Sequence, residues 1–557
     1  MILPVDDLYR AAIRLHQRGQ TADAAGLYEQ ILAARPDHAG ALHLKGVLAL
    51  QAGDYPAAIA LIERSVAIEP RHALAFSNLG VALRAEDRML ESIAAIEKAL
   101  ALDPQMGDAW VNLAHTQMRA GFTREAIASA RKAKSISPDR LGARSFILFG
   151  ANNLAEIDPV LLADEAREFG QIAERMAPPR QHHDNDLDPD RVLKIGLLSG
   201  DLRAHPVGRF LAAVIAEIDQ GRIALTAYSD TAKTDELTER LRSHVPVWRE
   251  TKPLNDKALG ELIVSDGIDV LIDLSGHSGS IRLLTLAGKP APVSFSWIGY
   301  FATTGLTSID YVLANKWVVP PGEESQWSEG IWRMPDTYLC FSQPPNTPMP
   351  GPLPAVANGR VNFGSFNNFN KLSDRTLAAW SVLLAAVPNA RLILRSSGHY
   401  HEGVVENLEQ RLRVAGVDLS RVRIDPKITD YAAHLRSYDE IDIALDPFPY
   451  NGGTTTVEAL YMGVPVLVRA GDRYVAHMGE SILHNAGLPD WIAVDEADYP
   501  ALGARLSADI DGLAMLRAGL RKRMLTSPLF DAQRFARNLE DAMRGMWRIW
   551  CAAQRRA

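Results

Sequence analysis

Residues 446–468 contain the side chains best suited to bind a phosphate. Two glycines and three threonines lie where a predicted strand turns into a predicted helix: Gly452, Gly453, Thr454, Thr455 and Thr456. The free N–H groups of a helix start favour an anion, glycine lets the backbone approach a ligand, and threonine can cap and donate. Glu458, four residues into the helix, could accept a hydrogen bond from a ribose hydroxyl. An ordinary strand–turn–helix connection with a threonine cap fits the segment equally well.

A second polar group follows the first predicted strand of the second α/β half. It contains Asn367, Asn368 and Lys371. The amides are neutral donors, and the lysine ammonium is a compact cation that suits a diphosphate. Because parallel strands end at one edge of their sheet, we expect Lys371 to face the same edge as residues 454–456, although a surface lysine is the commoner case.

Three histidines stand where they could reach a substrate. His205 follows the first strand of the first α/β half, and a side chain that titrates near neutrality could take a proton from an acceptor hydroxyl. His434 lies on a short predicted helix and could border a nucleobase, while His477 begins the helix after the last buried strand and could reach phosphate. The alternatives are a loop histidine that binds a backbone carbonyl for His205 and a helix-face histidine for His434.

Short apolar strands that alternate with helical stretches must position these residues. They are predicted in two sets, at 192–199, 223–229, 270–274 and 293–297, then at 361–366, 391–395, 422–424, 441–445 and 464–468. Alternating strands and helices imply parallel sheets with ligands at the strand C-terminal edges, and two such sheets would form a cleft. The predicted divisions are a first catalytic lobe over 191–355, a nucleotide-sugar-binding lobe over 356–530 and a final helical segment over 531–557.

The first quarter of the chain contains a repeat. Prolines occur every 34 residues, at Pro36, Pro70, Pro104 and Pro138, and small residues keep the same step, at Ala12, Gly46, Gly80 and Ala114. This is the tetratricopeptide pattern, with four repeats within residues 1–140 and a helical cap and linker over 141–190. Such arrays stack into a superhelix that holds extended peptide. Asn78 and Asn112 share one repeat position and are candidates to bind a peptide backbone, although two solvated asparagines would look the same.

Composition excludes several classes of protein. The chain has 557 residues, 47% of them hydrophobic, and a net charge of −8, which argues against a general nucleic-acid binder. No apolar run is long enough to span a membrane, and no signal peptide is predicted at the start. Two cysteines are too few for a disulfide framework or a zinc site, so we expect a reducing, cytoplasmic location without a metal or other cofactor.

With these residues in hand, the chain resembles the O-linked N-acetylglucosamine transferase family, and more closely its SPINDLY-type branch. The resemblance covers nearly the whole chain. It rests on the motifs that begin at Ser199 (Ser-Gly-Asp-Leu-Arg-Ala-His-Pro), Trp297 (Trp-Ile-Gly-Tyr-Phe-Ala-Thr-Thr-Gly-Leu), Phe363 (Phe-Gly-Ser-Phe-Asn-Asn-Phe-Asn-Lys), Asp446 (Asp-Pro-Phe-Pro-Tyr-Asn-Gly-Gly-Thr-Thr-Thr) and Glu458 (Glu-Ala-Leu-Tyr-Met-Gly-Val-Pro).

The resemblance implies an α-solenoid followed by a GT-B fold of two Rossmann-like lobes, and an inverting, metal-independent transfer from a nucleotide-sugar. By position, Lys371 matches the diphosphate-binding lysine, and Thr454 and Thr455 match the phosphate-binding helix start. Glu458 matches the ribose contact, His434 the nucleobase contact, and His205 the first-lobe histidine, which either acts as the base or positions other groups.

Differences from the family motifs leave more than one donor sugar possible. Phe301 and Ala302 replace the Pro-Gly or Pro-Asn pair usual in the family, and Gly453 stands where the N-acetylglucosamine branch has a histidine. Two motifs instead resemble SPINDLY, whose plant members use GDP-fucose: Pro447-Phe-Pro-Tyr450 and Ala476-His-Met-Gly479. The resulting hypothesis is a protein O-glycosyltransferase that modifies Ser or Thr of a polypeptide recruited by the repeats, with GDP-fucose or UDP-N-acetylglucosamine as donor. The alternatives are a dedicated flagellin glycosyltransferase with a CMP-nonulosonic acid donor, and a non-catalytic scaffold that senses nucleotide-sugars.

Overall fold

The computed structural model describes residues 4–279, 281–343, 347–396 and 402–556. Two compact units divide the chain, one formed by residues up to 150 together with the described residues 402–408, the other by the remainder. Among the described residues, no helix is long and apolar enough to cross a membrane, and no group of three or more His, Cys, Asp or Glu side chains has an arrangement that could hold a metal ion.

The first unit is built from four antiparallel helix pairs. The helices are α1 (Val5–Gln17), α2 (Thr21–Ala34), α3 (Ala39–Ala52), α4 (Tyr55–Ile68), α5 (Ala73–Ala85), α6 (Met89–Leu102), α7 (Gly107–Arg119) and α8 (Thr123–Ile136). Each repeat proline lies two residues beyond the end of the second helix of its pair, where a missing N–H does no harm to the helix.

The small residues of the repeat allow close contact between helices. A Cβ on Gly46 would lie 2.6 Å from Ile62 Cγ1, and one on Gly80 would lie 2.3 Å from Ile96 Cγ1. The turns between paired helices use left-handed backbone in all four repeats, at Gly19, Gly53, Asp87 and Gly121. Asp87 is the non-glycine member of this set, with φ of 58°. The spacing found in the sequence therefore has a local steric cause at each position.

Two helices, α9 (Leu141–Ala151) and α10 (Pro159–Met176), follow the repeats and precede a seven-stranded parallel sheet. Its strands are β1 (Leu193–Ser199), β2 (Ile223–Ser229), β3 (Val247–Glu250), β4 (Val270–Asp273), β5 (Val293–Ser296), β6 (Tyr311–Asn315) and β7 (Gly330–Met334), in the order β3-β2-β1-β4-β5-β6-β7. The helices between them are α11 (Pro206–Ile215), α12 (Glu236–Arg242), α13 (Asp256–Asp266) and α14 (Leu283–Ala287). We call this part the first lobe.

The second lobe is a six-stranded parallel sheet in the order β10-β9-β8-β11-β12-β13. Its strands are β8 (Asn362–Ser365), β9 (Arg391–Arg395), β10 (Val422–Asp425), β11 (Ile443–Leu445), β12 (Val466–Arg469) and β13 (Ile492–Ala493). Its helices are α15 (Pro354–Asn358), α16 (Asp374–Ala386), α17 (Glu402–Val414), α18 (Tyr431–Arg436), α19 (Thr454–Tyr461), α20 (Tyr474–Asn485), α21 (Asp498–Ala508) and α22 (Ile510–Leu525). Because β8, β11 and β12 are buried along nearly all their residues, the loops that follow them have fixed positions.

The last helix, α23 (Ala532–Gln554), returns to the first lobe. Its buried face repeats every four residues through Phe535, Leu539, Met543 and Trp547. The ring of Phe535 stacks on Trp297, which follows β5, with centroids 5.7 Å apart. Its polar residues bind the same lobe, since Glu540 accepts a hydrogen bond from Arg222 at 2.7 Å. The C-terminal helix predicted at residues 531–557 is therefore present, and it covers the lobe that is remote from it in sequence.

All nine predicted strands are present, and four further strands, β3, β6, β7 and β13, were missed. The polar run at 178–190 forms no helix or strand, as expected of a linker, but it is not simply solvated. Asn185 Nδ2 donates to Asp269 Oδ1 at 2.7 Å, and Arg191, just beyond the run, binds both oxygens of the same carboxylate. These contacts fix the linker to the first lobe.

Candidate active site

Lys371 lies at the end of a 3-10 turn, Phe369–Lys371, in the loop that follows β8. Its Nζ donates to the Asn451 carbonyl at 2.8 Å and lies 4.2 Å from the centroid of the Tyr450 ring. Burial lowers the pKa of Lys371, and the nearby carboxylate of Asp446 opposes that shift. The ammonium is thus held against the loop that leads into α19, at the carboxyl edge of the second sheet.

The start of α19 is open. No side chain caps it, so its first N–H groups have no capping acceptor. The loop before α19 is held in place by a hydrogen bond to the residue that follows β11, because Asp446 Oδ1 accepts the Gly452 N–H at 2.7 Å. Gly452 is needed there, since a Cβ would lie 2.5 Å from the hydroxyl oxygens of both Thr455 and Thr456. This geometry suits a bound anion beside Lys371.

The asparagines after β8 have different contacts. Asn367 Oδ1 accepts a hydrogen bond from the Thr455 hydroxyl at 2.9 Å, which joins the loop after β8 to the helix start. Asn368 Oδ1 accepts the Asn370 N–H at 3.1 Å and so caps the 3-10 turn. Lys371 and Asn367 therefore both bind the segment that leads into and begins α19, at the sheet edge expected for parallel strands, while Asn368 has a local structural contact.

Glu458 is buried, with 3% of its surface exposed, and both carboxylate oxygens have partners. Oε1 accepts the Tyr431 hydroxyl at 2.8 Å, and Oε2 lies 3.1 Å from His434 Nε2. Glu458 and His434 were predicted to contact the ribose and the nucleobase of one nucleotide, and the structure does bring the two side chains together. Tyr431 is a further member of this group that no motif in the sequence indicated.

His205 caps α11 in the first lobe. Its Nδ1 lies 3.4 Å from the Val207 N–H nitrogen and 3.6 Å from Asp201 Oδ2. Burial lowers the pKa of His205 and Arg203 lowers it further, whereas Asp201 opposes them. The neutral ring has two forms with different chemistry. If Nδ1 accepts from Val207, Nε2 carries the hydrogen and is a donor; if Nδ1–H points to Asp201, Nε2 is free to accept a proton.

Arg209 connects the helix of His205 to the nucleotide site. It lies one helical turn after His205 on α11, and its guanidinium carbon is 3.9 Å from the centroid of the Tyr431 ring. The first lobe thus contacts the residue whose hydroxyl binds Glu458. This places α11 beside the carboxyl edge of the second sheet.

A second contact between the lobes involves His477, at the start of α20. Its Nδ1 lies 2.6 Å from Glu480 Oε1, and its Nε2 lies 3.0 Å from Glu323 of the first lobe. Burial alone would lower the pKa of His477, but its hydrogen bonds to Glu323 and Glu480 raise it to about 9. In this structure both ring nitrogens face carboxylates, so the expected phosphate contact of His477 stays a prediction.

This histidine gives a pH-dependent prediction. A raised pKa means that its contribution to stability is complete below the ordinary value of 6.5 and is lost as the pH rises through about 9. His477→Gln should lower the free energy of unfolding by about 2 kcal/mol near neutral pH or below and by much less at about pH 10. Calorimetric melting of both proteins across this range checks it, with His182→Gln, an exposed linker histidine, as the control. A difference that does not shrink with pH would contradict it.

Glu329 holds the loop before β6. Only 5% of its surface is exposed, and its oxygens accept the Thr303 hydroxyl at 2.6 Å and the Thr304 N–H at 2.8 Å. Burial raises the pKa of this carboxyl, and the threonine hydrogen bonds oppose the shift. The same loop begins with Phe301, whose ring stacks on Tyr474 of the second lobe with centroids 5.6 Å apart. The unusual Phe301 therefore lies at the contact between the lobes.

Comparison with known sequences identifies the family. Residues 169–343 and 353–539 match Glycosyl transferase family 41, and residues 9–73, 46–106 and 107–140 match tetratricopeptide repeat families. The chain belongs to glycosyl transferase family 41. Its fold is a tetratricopeptide solenoid followed by a GT-B pair of Rossmann-like lobes, which confirms the predicted fold class.

Relatives of this family 41 chain include plant proteins and a solved bacterial structure. A probable UDP-N-acetylglucosamine–peptide N-acetylglucosaminyltransferase SPINDLY of Petunia hybrida is 36% identical over 74% of this chain and 45% of its own length. The corresponding SEC protein of Arabidopsis thaliana is 26% identical over 72% of this chain and 42% of its own length. A mutant of Thermobaculum terrenum O-GlcNAc transferase superposes with a TM-score of 0.78, at 31% identity and with 100% of both chains covered. The chain spans less than half the length of these two plant relatives.

The residues predicted to bind an acceptor lie in the solenoid. Asn78 Nδ2 is 2.9 Å from His43 Nε2, and burial together with His72 lowers the pKa of His43 to about 4, so its ring is neutral and can accept. The backbone carbonyl of Asn112 accepts from Arg84 and Thr116. Peptide binding by Asn78 and Asn112 stays a prediction.

Proposed function

We propose that this chain is a protein O-glycosyltransferase that transfers a sugar from a nucleotide-sugar to a Ser or Thr hydroxyl of a polypeptide recruited by the repeats. The observation that carries the proposal is the convergence of Lys371, the open start of α19 and Glu458 at one sheet edge, with α11 of the first lobe beside them. Diphosphate, ribose and an acceptor hydroxyl would each find a suitable partner there. Family membership supports the same reaction class.

The chemistry follows from these contacts. The acceptor hydroxyl oxygen attacks the anomeric carbon, the bond from that carbon to the diphosphate oxygen breaks, and the hydroxyl proton leaves. Attack from the face opposite the leaving group inverts the anomeric centre. The negative charge that develops on the departing diphosphate is stabilised by the Lys371 ammonium and the N–H groups of α19. These two sources of positive charge would make a metal unnecessary, so activity should survive an excess of EDTA.

The proton has two candidate routes. His205 with Nδ1–H directed to Asp201 would accept it at Nε2, whereas the other tautomer would donate to the substrate and only position it. His205→Gln separates the two roles. It keeps a donor but removes the proton acceptor, so a base would lose kcat, and a positioning residue would mainly raise KM.

UDP-N-acetylglucosamine and GDP-fucose are the proposed donors. The names of the plant relatives favour UDP-N-acetylglucosamine, whereas the SPINDLY-like motifs and the glycine at 453 favour GDP-fucose. A nucleotide present at about a hundred times its dissociation constant stabilises a protein by about 2.7 kcal/mol, so thermal shifts with UDP, GDP and CMP in parallel distinguish the donors. Selective CMP binding would favour the nonulosonate alternative.

Transfer itself needs a separate measurement. Co-expression with candidate acceptors and mass spectrometry should reveal one added sugar mass on Ser or Thr. If a nucleotide binds but no mass is added to any acceptor, and no nucleotide-sugar is hydrolysed, the proposal fails and the non-catalytic scaffold replaces it.

A further inference from the structure

We propose that Tyr431 is a gate on the nucleotide site, in which its hydroxyl competes with a ribose hydroxyl for Glu458 and Arg209 holds it closed. The inference rests on the proposed function, because it takes Glu458 as the ribose contact. It concerns residues of both lobes.

The competition arises because both carboxylate oxygens of Glu458 already have hydrogen-bond partners. Each of its two oxygens has a partner, Tyr431 at 2.8 Å and His434 at 3.1 Å, and only 3% of the residue is exposed. A ribose hydroxyl that donates to this carboxylate must displace one of them or share an oxygen with it. The His434 ring has two further ring neighbours, Phe366 and Tyr438, at centroid distances of 6.3 and 5.6 Å. The Tyr431 ring packs only on the His434 ring, at 6.2 Å, and on Arg209 among the contacts of the described residues, so the histidine is the more firmly held partner.

The phenol is a donor at any physiological pH. Burial raises the pKa of Tyr431 and the charge of Glu458 raises it further, so the hydroxyl stays protonated and keeps its hydrogen for the carboxylate. A hydrogen bond to a charged acceptor is stronger than one between neutral groups. A ligand that opens the gate must therefore replace a good hydrogen bond, which weakens its apparent affinity.

Arg209 covers the other side of the gate. Its guanidinium carbon is 3.9 Å from the Tyr431 ring centroid, within the range of a cation–π contact. When Tyr431 moves away from Glu458, its contact with Arg209 on α11 changes as well. Donor binding would therefore alter a contact of the helix that His205 caps.

Tyr431→Phe tests the gate with little risk to folding, because it removes the hydroxyl and keeps the ring under Arg209. We expect this variant to bind UDP or GDP about three- to tenfold more tightly than the wild type by calorimetry, since the competing hydrogen bond is gone. The dideoxy ligands ddUDP and ddGDP have no ribose hydroxyls, so the variant should bind them no more tightly than the wild type does.

Tyr228→Phe is the matched control. Its hydroxyl also donates to a carboxylate, Asp266, at 2.8 Å, but it lies in the first lobe away from the nucleotide site. This variant should leave the affinity for each nucleotide unchanged. Unchanged or weaker binding of UDP and GDP by Tyr431→Phe would overturn the gate, as would an equal gain for the dideoxy ligands. If the wild-type protein binds no nucleotide at all, the proposed function fails first and this inference falls with it.

Discussion

Replacing Lys371 with methionine should lower kcat by roughly a hundred- to a thousandfold, the usual cost of removing one group that stabilises transition-state charge. Methionine keeps much of the apolar stem of the lysine but removes the ammonium, which lies over the Tyr450 ring and binds the Asn451 carbonyl. Because the lost interaction grows as the diphosphate departs, kcat should fall more than the affinity for substrate. Steady-state rates of sugar transfer by both proteins check the prediction.

Lys316→Met is the matched control for this experiment. Lys316 also lies over an aromatic ring, 4.8 Å from the centroid of Trp317, but in the first lobe. Its loss should leave kcat within about twofold of the wild type. The lowered pKa of Lys371 adds a further check, because wild-type activity should decline on the alkaline side at a pH below the ordinary pKa of lysine. Near-normal turnover by Lys371→Met would remove the lysine from the catalytic assignment.

Replacing Glu329 with alanine should lower the free energy of unfolding by about 3 kcal/mol. The change leaves the Thr303 hydroxyl and the Thr304 N–H buried without their acceptor and opens a cavity beneath them. Part of this cost is offset, because the buried carboxylate, whose pKa is raised, no longer has to be desolvated. Calorimetric or denaturant-induced unfolding of the second unit gives the measurement.

Glu324→Ala provides the comparison for Glu329. Glu324 is an exposed residue whose carboxylate pairs with Arg333 at the surface, and solvent screens such pairs so strongly that they contribute little to stability. We therefore expect a large decrease in the free energy of unfolding for Glu329→Ala and almost none for Glu324→Ala. Equal losses would mean that the buried hydrogen bonds to the threonine loop add little to stability.

The solenoid could be predicted from sequence because each of its signals is local. A left-handed turn residue, a small residue at a helix contact and a proline beyond a helix end each act within one repeat, and all recur together. Buried central strands such as β1, β2 and β9 were also predictable, since most of their residues are apolar and all but one residue of each is buried. The edge strands β3 and β7 are half exposed and short, and β13 has two residues, so no periodicity marks them.

The site residues also fall into those that could be predicted from sequence and those that could not. Lys371, Thr455 and Glu458 follow or begin elements of one sheet, so topology alone predicted their proximity. Tyr431 and Arg209 were missed, because their contact joins two lobes and the sequence carries no trace of how those lobes meet. His477 was predicted from its place at a helix start, but its partner Glu323 belongs to the other lobe and could not be inferred.

The return of α23 to the first lobe has a consequence for biosynthesis. A ribosome completes the first lobe and then the entire second lobe before residues 532–554 emerge, yet Trp297 and Arg222 obtain their stacking and ionic partners from that last helix. The nascent first lobe therefore carries an uncovered apolar surface throughout this interval, and transiently exposed surface of this kind is prone to aggregation. A premature stop before α23 would damage the lobe that was translated first, rather than the one beside the break.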